Sequence, residues 1–323
     1  MRKVAAIGGL AVLAAALTVP ALAQAQDDQP YIIGVFHADT SNSFSSVVKK
    51  GVEQAGADLG IKTEFVGPDK FDVVAEGQLI DAAVAKSPDG IFVSIPDCDA
   101  LKGNIQAAID KGIPVMSFNA GQSCFKDVGS LVHVAEDGYA AGLGAGQRLV
   151  DLGAKNVICL VHEVGNSFLE DRCRGITDAL TAAGGKATNV PTSLADPSVT
   201  AGAIQAAFQK DPTIDGIGGE WGGGPSPAVI DQTLTDLGLQ GKVIVSYFDP
   251  GKDSLQWIKD GKVAFETSQV PFNQGYLPVM FLNEYIKYGT LPGGPSGIIN
   301  NGGFFITKDN VDQIIQLVDK GIY

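Results

Sequence analysis

Cationic side chains are scarce in this chain of 323 residues. Lysine and arginine total 23 against 36 aspartates and glutamates, which gives a formal net charge of −13. Nucleic acid is therefore not an expected partner, because phosphate binding needs a surplus of cations that displaces counterions. Charged residues make up 18% of the chain and hydrophobic residues 45%, and this balance favours a globular protein over a disordered one.

Motifs of covalent catalysis and cofactor binding are also missing. The chain has no G-x-S-x-G and no Gly-Lys-Ser/Thr phosphate loop, and the glycine-rich stretch at 142–146 lacks the last glycine of a dinucleotide fingerprint. The three histidines, His37, His133 and His162, are too few for a histidine-rich metal site. We therefore expect no cofactor and no metal.

Long apolar runs are confined to the N-terminus. Arg2 and Lys3 precede an Ala/Val/Leu run of about 16 residues that ends in Ala-Leu-Ala at 21–23, and such a segment is typical of a cleavable secretory signal. The run is short for a bilayer-spanning helix, which needs about 20 residues. We predict a signal peptide over residues 1–25 and a soluble mature protein in the periplasm.

Cysteines are few but even in number, as expected for a chain bound for an oxidising compartment. They are Cys98, Cys124, Cys159 and Cys173. No C-x-x-C is present, so a thioredoxin-like redox site has no support. Cys98 and Cys124 each follow an apolar run, at 91–95 and 114–118, and adjacent parallel strands would bring both thiols to one sheet edge. We predict that they form a disulfide, and leave open whether the other two are bridged or only buried.

What the sequence does contain is an internal repeat with an offset of 124 residues. Asn-Ser-Phe at 42–44 recurs at 166–168, and Gly51 corresponds to Gly175. The agreement extends over about 60 residues, which is far more than one chance triplet. The two halves are therefore predicted to be copies of one βαβ-type lobe.

Each copy alternates short apolar or β-branched runs with stretches of helical period. The predicted strands are 31–36, 63–66, 91–95, 114–118, 156–161, 186–190, 216–218 and 242–248. Strand, helix and strand at this interval predict an α/β fold with two similar lobes, each a doubly wound parallel sheet. Ligands of such sheets bind beyond the carboxyl ends of the strands.

Polar and aromatic residues cluster just after the predicted strands. The candidate ligand-binding residues are Asn42, Phe44, Asp97, Asn119, Arg172, Glu220, Trp221, Asp249 and Gln269. Carboxylates, amides and a guanidinium suit vicinal hydroxyls, while aromatic planes suit the C–H faces of a sugar. The neighbouring Asp99 and Asn166 are interpreted as loop or helix-cap residues.

These residues and the segments around them resemble the periplasmic sugar-binding proteins of ABC importers, the ribose-binding-protein-like type I family. The matching segments are Asn-Ser-Phe at 42–44, Pro-Val-Met-Ser-Phe-Asn at 114–119, Asp-Arg-Cys-Arg-Gly at 171–175, Phe-Asp at 248–249 and Ser-Gln-Val-Pro at 268–271. The resemblance covers nearly the whole mature chain. It implies that Asn42, Phe44, Arg172, Asp249 and Gln269 contact a sugar.

Two departures from the family pattern argue against ribose itself. Asn119-Ala120 stands where a ribose binder carries Asp-Arg, and Glu220-Trp221 stands where it usually carries Asn-Asp. Two altered positions are enough to change which sugar is bound best, since a hydrogen bond to a charged group contributes about 1.5–3 kcal/mol to the binding free energy. Another pentose, a hexose, a polyol or a furanosyl signal molecule all stay open.

The resemblance also implies a two-lobe clamp with a three-strand hinge. The N-terminal lobe would comprise 26–134 and 271–302, and the C-terminal lobe 135–270 and 303–323, with crossings near 134–137, 269–271 and 302–305. Ligand would stabilise the closed form, which would dock on the permease of an ABC importer. The protein is expected to be a monomer and not an enzyme.

Two other functions are weighed against transport. A sensor that reports its ligand to a chemoreceptor or kinase would use the same fold, so the fold cannot decide between the two. A glycoside-processing enzyme would need an acid and a base, for which Asp249 and Glu220 are the candidates.

Overall fold

The computed structural model describes residues 29–323, so the predicted signal peptide at 1–25 lies outside the described residues. Two α/β lobes make up this part of the chain, and each is built on a six-stranded sheet with helices packed against it. The predicted fold class, two similar parallel-sheet lobes, is confirmed.

The N-terminal lobe contains the first stretch of the chain and a later return. Its first elements are β1 (Tyr31–Val35), α1 (Ser43–Leu59), β2 (Lys62–Val66), α2 (Val73–Ala85), β3 (Gly90–Ser94), α3 (Cys98–Asp110), β4 (Val115–Phe118) and β5 (His133–Ala135). The C-terminal lobe follows with α4 (Gly138–Asp151), β6 (Asn156–Val161), α5 (Ser167–Ala182), β7 (Lys186–Pro191), α6 (Pro197–Lys210), β8 (Gly216–Gly218), α7 (Ser226–Asp236), β9 (Ile244–Phe248), α8 (Lys252–Asp260) and β10 (Phe265–Ser268).

The chain then returns to the first lobe and crosses back once more. The returning elements are α9 (Pro271–Tyr288), a short 3₁₀ turn (Gly294–Ser296) and β11 (Ile298–Asn300), and the last elements in the C-terminal lobe are β12 (Phe304–Ile306) and α10 (Val311–Asp319). Among the helices of the described chain, none combines the length and apolarity needed to cross a membrane.

Strand order is the same in both sheets. It runs β11-β5-β4-β3-β1-β2 in the N-terminal lobe and β12-β10-β9-β8-β6-β7 in the C-terminal lobe. The ladders are parallel except for the antiparallel pair of β10 and β12. The lobes are joined at 136–137, 269–270 and 301–303, between β5 and α4, β10 and α9, and β11 and β12. These joints lie where the predicted three-strand hinge requires them.

Helix α1 shows how the local sequence builds an element. The Asn42 side chain accepts a hydrogen bond from the backbone N–H of Ser45, and Gly60 ends the helix in the left-handed region at φ 65°. Between these caps Val48, Val52 and Ala55 are fully buried against the sheet. Each valine placed there contributes about 1.5–3 kcal/mol of transfer free energy.

The repeated glycines let helices pack backbone to backbone. A Cβ atom at Gly51 of α1 would lie 2.1 Å from the carbonyl oxygen of Phe272 in α9. In the other lobe a Cβ atom at Gly175 of α5 would lie 2.3 Å from the carbonyl oxygen of Tyr139 in α4. Only glycine permits such a close approach of two helix backbones, so glycine stands at the equivalent helix contact in both repeats.

The inner strands β3 and β6 are buried along their whole length and the edge strands β2 and β7 are not. All residues of β3 and of β6 are buried, whereas β2 and β7 carry exposed or half-buried residues. Continuous apolar strands are the pattern of a parallel sheet covered on both faces.

Each lobe contains one disulfide. Cys98, in the first turn of α3, is joined to Cys124 in the loop after β4, the pair that the sequence predicts. Cys159 of β6 is joined to Cys173 of α5, which answers the question left open by the sequence. The first bridge is half-buried and the second lies in the core of its lobe.

Candidate functional site

A cavity of about 470 Å³ lies between the lobes. Its walls are formed by the segments that follow β1, β2 and β4 on one side and β6, β7, β8 and β9 on the other, together with the crossing at 269. This is the position where parallel α/β sheets bind ligands, and the volume lies in the range of small-molecule sites.

Seven of the nine predicted site residues line this cavity. They are Asn42, Phe44, Asn119, Arg172, Trp221, Asp249 and Gln269. Asp97 and Glu220 are not among the lining residues. Ligand contact by these side chains stays a prediction, and their placement follows from the local contacts described below.

Arg172 forms the floor of the cavity. Its side chain is 1% exposed, its Nη2 lies 3.5 Å from Glu136 Oε2, and its guanidinium stacks 3.6 Å from the centre of the Phe248 ring. Burial lowers the pKa of Arg172, while the carboxylates of Glu136 and Asp249 oppose that change. Because the planar group is held on an aromatic face, its remaining N–H donors have a fixed direction.

Asp249 is held by the hinge residue Gln269. Oδ1 of Asp249 accepts a hydrogen bond of 3.1 Å from the Gln269 backbone N–H, and Oδ2 accepts another from the Gln269 side-chain amide. Burial raises the pKa of Asp249, and the guanidinium of Arg172 opposes that rise. The carboxylate is thus anchored before any ligand arrives, which reduces the ordering cost of binding.

Gln269 also reaches into the other lobe. Its Oε1 accepts a hydrogen bond of 3.4 Å from Nδ2 of Asn119, whose amide also donates to Gln274 at 3.1 Å. Asn119 and Asp249 both adopt left-handed backbone, with φ of 60° and 57°. Asn and Asp tolerate this region better than other non-glycine residues, which explains their presence directly after β4 and β9.

Trp221 and Phe44 provide aromatic surface from opposite lobes. Both are half-buried and line the cavity. Three glycines follow Trp221, and a Cβ atom at Gly224 would lie 2.6 Å from the indole. The glycine loop therefore packs closely against the indole, which also lines the cavity.

Glu220 lies behind the cavity wall and supports two lining residues. Its Oε1 lies 2.7 Å from Nδ1 of His162 and accepts a 2.9 Å hydrogen bond from the Trp221 backbone N–H, while Oε2 accepts one of 3.0 Å from Thr192. Burial favours neutral forms of this pair, but the mutual attraction lowers the pKa of Glu220 and raises that of His162. Glu220 is therefore placed to position His162 and Trp221 from behind.

Asp97 is a helix cap at the surface. Its exposed carboxylate accepts a hydrogen bond of 3.0 Å from the backbone N–H of Ala100 at the start of α3. Asn42 and Asn166 are caps of the same kind for α1 and α5, yet both also line the cavity. Capping explains why the residue type is Asn or Asp at each position, and the path of the chain decides whether it also reaches the cavity.

The lobes touch each other across the cleft. Nε2 of His37 lies 3.3 Å from Oε2 of Glu163, which also accepts a 2.8 Å hydrogen bond from Asn166. The Ser43 hydroxyl donates to the carbonyl oxygen of Gly223 at 3.0 Å. Because these contacts join strand ends of different lobes, the structure is a closed arrangement of the clamp.

Several lining residues were missed by the sequence reasoning. The loop after β2 contributes residues 69–71 and the loop after β7 contributes residues 193–195. These strands stand at the sheet edges, but their loops reach the mouth of the cavity all the same. The strand-end rule applied to β2 and β7 would have found both loops.

Two further carboxyl groups near the site are buried without a full set of partners. Burial raises the pKa of Glu136 to about 8 despite the nearby Arg172, and it raises the pKa of Glu266 to about 8. Glu266 lies beneath the glycine loop, since a Cβ atom at Gly222 would be 2.7 Å from its Oε1. Within residues 29–323, no group of three or more His, Cys, Asp and Glu residues could hold a metal ion.

Comparison with known proteins identifies relatives along most of the chain. Residues 33–290 match the family described as periplasmic binding protein domain. A carbohydrate transporter from Acidothermus cellulolyticus, crystallised with myo-inositol, is 29% identical, covers 91% of this chain and 100% of its own, and superposes with a TM-score of 0.83.

Two further matches have lower sequence identity. The xylose/arabinose-binding protein XylF of Sulfolobus acidocaldarius is 25% identical over 290 residues, which are 85% of this chain and 71% of that protein. The structure of GanP, a glucose-galactose-binding protein of Geobacillus stearothermophilus, is 20% identical with a TM-score of 0.79, covers 88% of this chain and 99% of its own, and supports the fold alone.

Proposed function

Because the chain belongs to the periplasmic binding protein domain family, we propose that it captures a monosaccharide or sugar alcohol between its lobes and delivers it to an ABC permease. It would do so in the periplasm, as a monomer, after removal of residues 1–25. The observation that supports this function best is the closed cleft, where fixed polar groups and aromatic faces from both lobes surround one cavity.

The chemistry of the cavity favours a neutral, polyhydroxylated ligand. The cation of Arg172 lies near the carboxyl groups of Glu136 and Asp249, and Glu163 lies 3.3 Å from His37, so the charged groups at the centre of the site already have partners. A charged ligand would leave one of these groups without its partner, at a cost that a neutral one avoids. Hydroxyl groups can donate to Asp249 and accept from Arg172, as vicinal diols require.

The relatives narrow the class of ligand. One was crystallised with myo-inositol and another is described as a xylose/arabinose-binding protein. We propose that this chain binds a cyclic pentose, hexose or cyclitol. The hydroxyl groups of the ring would face Asp249 and Arg172, and one C–H face of the ring would lie on Trp221. Phe44 would cover the opposite side of the ring.

Binding without turnover is proposed for the same site. A glycosidase mechanism with Asp249 and Glu220 would need both carboxyl groups at the substrate, but Glu220 is fully buried behind His162 and Trp221. Asp249 is also engaged by Gln269 on both oxygens. Capture and release by lobe opening therefore accounts for these residues better than hydrolysis does.

A ligand screen tests the proposal. Residues 26–323 would be titrated by calorimetry with myo-inositol, xylose, arabinose, ribose, glucose and, as a different class, amino acids. We expect one sugar or cyclitol to bind and to raise the unfolding midpoint by mass action. The variant Arg172→Met is the matched control and should lose that heat. Binding of an amino acid instead, or no binding by any carbohydrate, would contradict the proposal.

A second experiment separates transport from sensing. Cells that carry the gene would be compared with a deletion strain for uptake of the radiolabelled ligand found in the screen. We expect uptake to fall in the deletion strain and to return with the wild-type gene. Unchanged uptake together with ligand-dependent binding to a chemoreceptor or kinase would favour the sensor.

A further inference from the structure

His162 is a cavity-lining histidine that has a carboxylate behind it. It follows β6, while Glu220 follows β8, and these two strands are neighbours in the sheet of the C-terminal lobe. Nδ1 of His162 lies 2.7 Å from Oε1 of Glu220, and the two side chains are 8% and 0% exposed. His162 lines the cavity, whereas Glu220 does not. The imidazole therefore lies between a buried carboxylate and the cavity.

Glu220 is held in place by three hydrogen bonds. The Phe248 backbone N–H donates to the carbonyl oxygen of Glu220 at 2.9 Å, and Oε1 of Glu220 accepts a hydrogen bond of 2.9 Å from the Trp221 backbone N–H. Oε2 accepts one of 3.0 Å from the Thr192 hydroxyl. A carboxylate held in this way orients the group that it contacts, because its own rotamer is fixed by its other partners.

The contact between Nδ1 and Oε1 determines which nitrogen of the ring carries a proton. Burial favours neutral forms of both groups, but their mutual attraction lowers the pKa of Glu220 and raises that of His162, so Glu220 is ionised. An ionised carboxylate only accepts hydrogen bonds, and Nδ1 at 2.7 Å therefore carries a proton. Nε2 then accepts a hydrogen bond when the ring is neutral and donates one when the ring is charged.

The other two histidines do not offer a ring nitrogen to the cavity. Both nitrogens of His37 have polar neighbours, at 2.7 Å and 3.3 Å. His133 is fully buried and does not line the cavity. Within residues 29–323, Glu220 is the polar partner of the His162 ring, and it occupies Nδ1. Nε2 of His162 is therefore the ring nitrogen that is left for a ligand.

We propose that His162 contacts the ligand, with Nε2 bonding a hydroxyl group of the sugar or cyclitol, and that Glu220 is the residue that positions it. This role rests on the proposed function, since it adds a specificity-determining contact to the same site. His162 interacts electrostatically with Arg172 and Asp249, so it lies near the groups that would bind two vicinal hydroxyls. The hydroxyl at Nε2 would be a third one on the same ring.

This contact would select for a hydroxyl at one position of the ligand. A hydroxyl both donates and accepts, so it suits Nε2 whether the imidazole is neutral or charged. A C–H group at that position suits neither form and leaves Nε2 unpaired in the closed cavity. A monodeoxy analogue that lacks this hydroxyl is therefore expected to bind about 10- to 100-fold more weakly than its parent.

Titration calorimetry of residues 26–323 tests the contact. The probes are myo-inositol, xylose, arabinose, ribose and glucose, each with its monodeoxy analogues. In His162→Met the parent should bind about 10- to 100-fold more weakly, and the loss caused by removing one particular hydroxyl should fall to about threefold or less. A purely structural role of His162 would weaken parent and analogue alike. The conservative variant His162→Gln, whose amide can reach the place of Nε2, should retain part of the discrimination.

The outcomes separate this contact from the proposed function. A sugar that binds with the same discrimination against every monodeoxy analogue in the wild type and in His162→Met would overturn the contact and leave the function intact. Binding of none of the five probes would contradict the function and the contact together.

Magnetic resonance of the three histidines tests the role of Glu220. Long-range ¹H–¹⁵N spectra distinguish protonated from unprotonated ring nitrogens, and loss of signals in His162→Gln identifies those of His162. Nδ1 should carry a proton in the wild type from about pH 6 to about pH 9. Glu220→Leu should lose this tautomer at the upper end and bind about tenfold more weakly, whereas Glu220→Gln, which keeps an acceptor, should retain it. An unprotonated Nδ1 in the wild type would overturn the role of Glu220.

Discussion

The two lobes share a strand order and differ in the chemistry of their cavity walls. At the repeat offset of 124, Val48 of α1 corresponds to Arg172 of α5, and both side chains are buried. Directly after the fourth strand of each repeat, neutral Asn119 in one lobe stands opposite charged Asp249 in the other. The charged lining residues of the N-terminal lobe, Asp39, Asp69 and Lys70, are half-buried or exposed, whereas the C-terminal lobe provides the buried Arg172 and Asp249.

This contrast shows which features a duplicated lobe keeps and which it changes. Gly51 and Gly175 maintain equivalent close helix contacts, and Asn42 and Asn166 cap the equivalent helices α1 and α5. Backbone geometry allows few alternatives at these positions. The cavity-lining side chains Asn119 and Asp249 are not constrained in this way, and they differ between the lobes.

The largest effect is expected at the pair of left-handed residues. Asp249→Ala should weaken binding of the ligand by about 30- to 1,000-fold, since truncating a buried charge costs about 2–4 kcal/mol and removes one of the two carboxyl groups near Arg172. Asn119→Ala, at the same backbone conformation in the other lobe, should weaken binding about tenfold or less. Calorimetric titration of both variants checks the difference. Equal losses would show that the charge of the C-terminal lobe has no special role.

The two disulfides should contribute similarly to stability and differ in accessibility. Replacing either pair with alanine is expected to lower the free energy of unfolding by about 3 kcal/mol, from the loop entropy of the unfolded chain. Urea unfolding of the two double variants measures this. In the folded wild type, a reductant should open half-buried Cys98–Cys124 before core-buried Cys159–Cys173, as read by thiol labelling and peptide mass mapping. The reverse order would contradict the assigned burial.

The helix-contact glycines provide a prediction that should be equal in both lobes. Gly51→Ala and Gly175→Ala should each lower the free energy of unfolding by about 1–3 kcal/mol, because the added methyl group meets a backbone carbonyl. Gly103 of α3 and Gly202 of α6 are the matched controls, since nothing lies within 4 Å of a Cβ atom there. Alanine at these positions should raise stability by up to about 1 kcal/mol. Destabilisation by the control substitutions would contradict the packing argument.

The smallest effect is expected at the surface. Asp97→Ala should lower the free energy of unfolding by about 1 kcal/mol through loss of the α3 cap, and should leave the affinity for the ligand unchanged. Denaturant unfolding and a ligand titration of the same preparation test both statements. A marked loss of affinity would show that Asp97 reaches the ligand after all.

Much of the site could be predicted because its residues follow strands that the apolar runs reveal. Asn119, Asp249 and Gln269 were found in this way. The same rule included Asp97 and Glu220, because distance along the chain does not show whether a carboxylate turns toward the cavity, toward a helix end or into the core. Residues 69–71 were missed because the rule was not applied to the edge strand β2, whose loop also lines the cavity.

The sequence by itself determined the fold class, the duplication and the strand ends, since these depend on local periodicity and on repeated residues within one segment. Only the tertiary structure decided that Cys159 is bridged to Cys173, that Glu220 supports the cavity wall from behind, and that His37 meets Glu163 across the cleft. Each of these is a contact between segments that lie apart along the chain. Such contacts depend on packing direction and burial. The first two arise when the C-terminal lobe folds, and the third arises only when the two lobes close on each other.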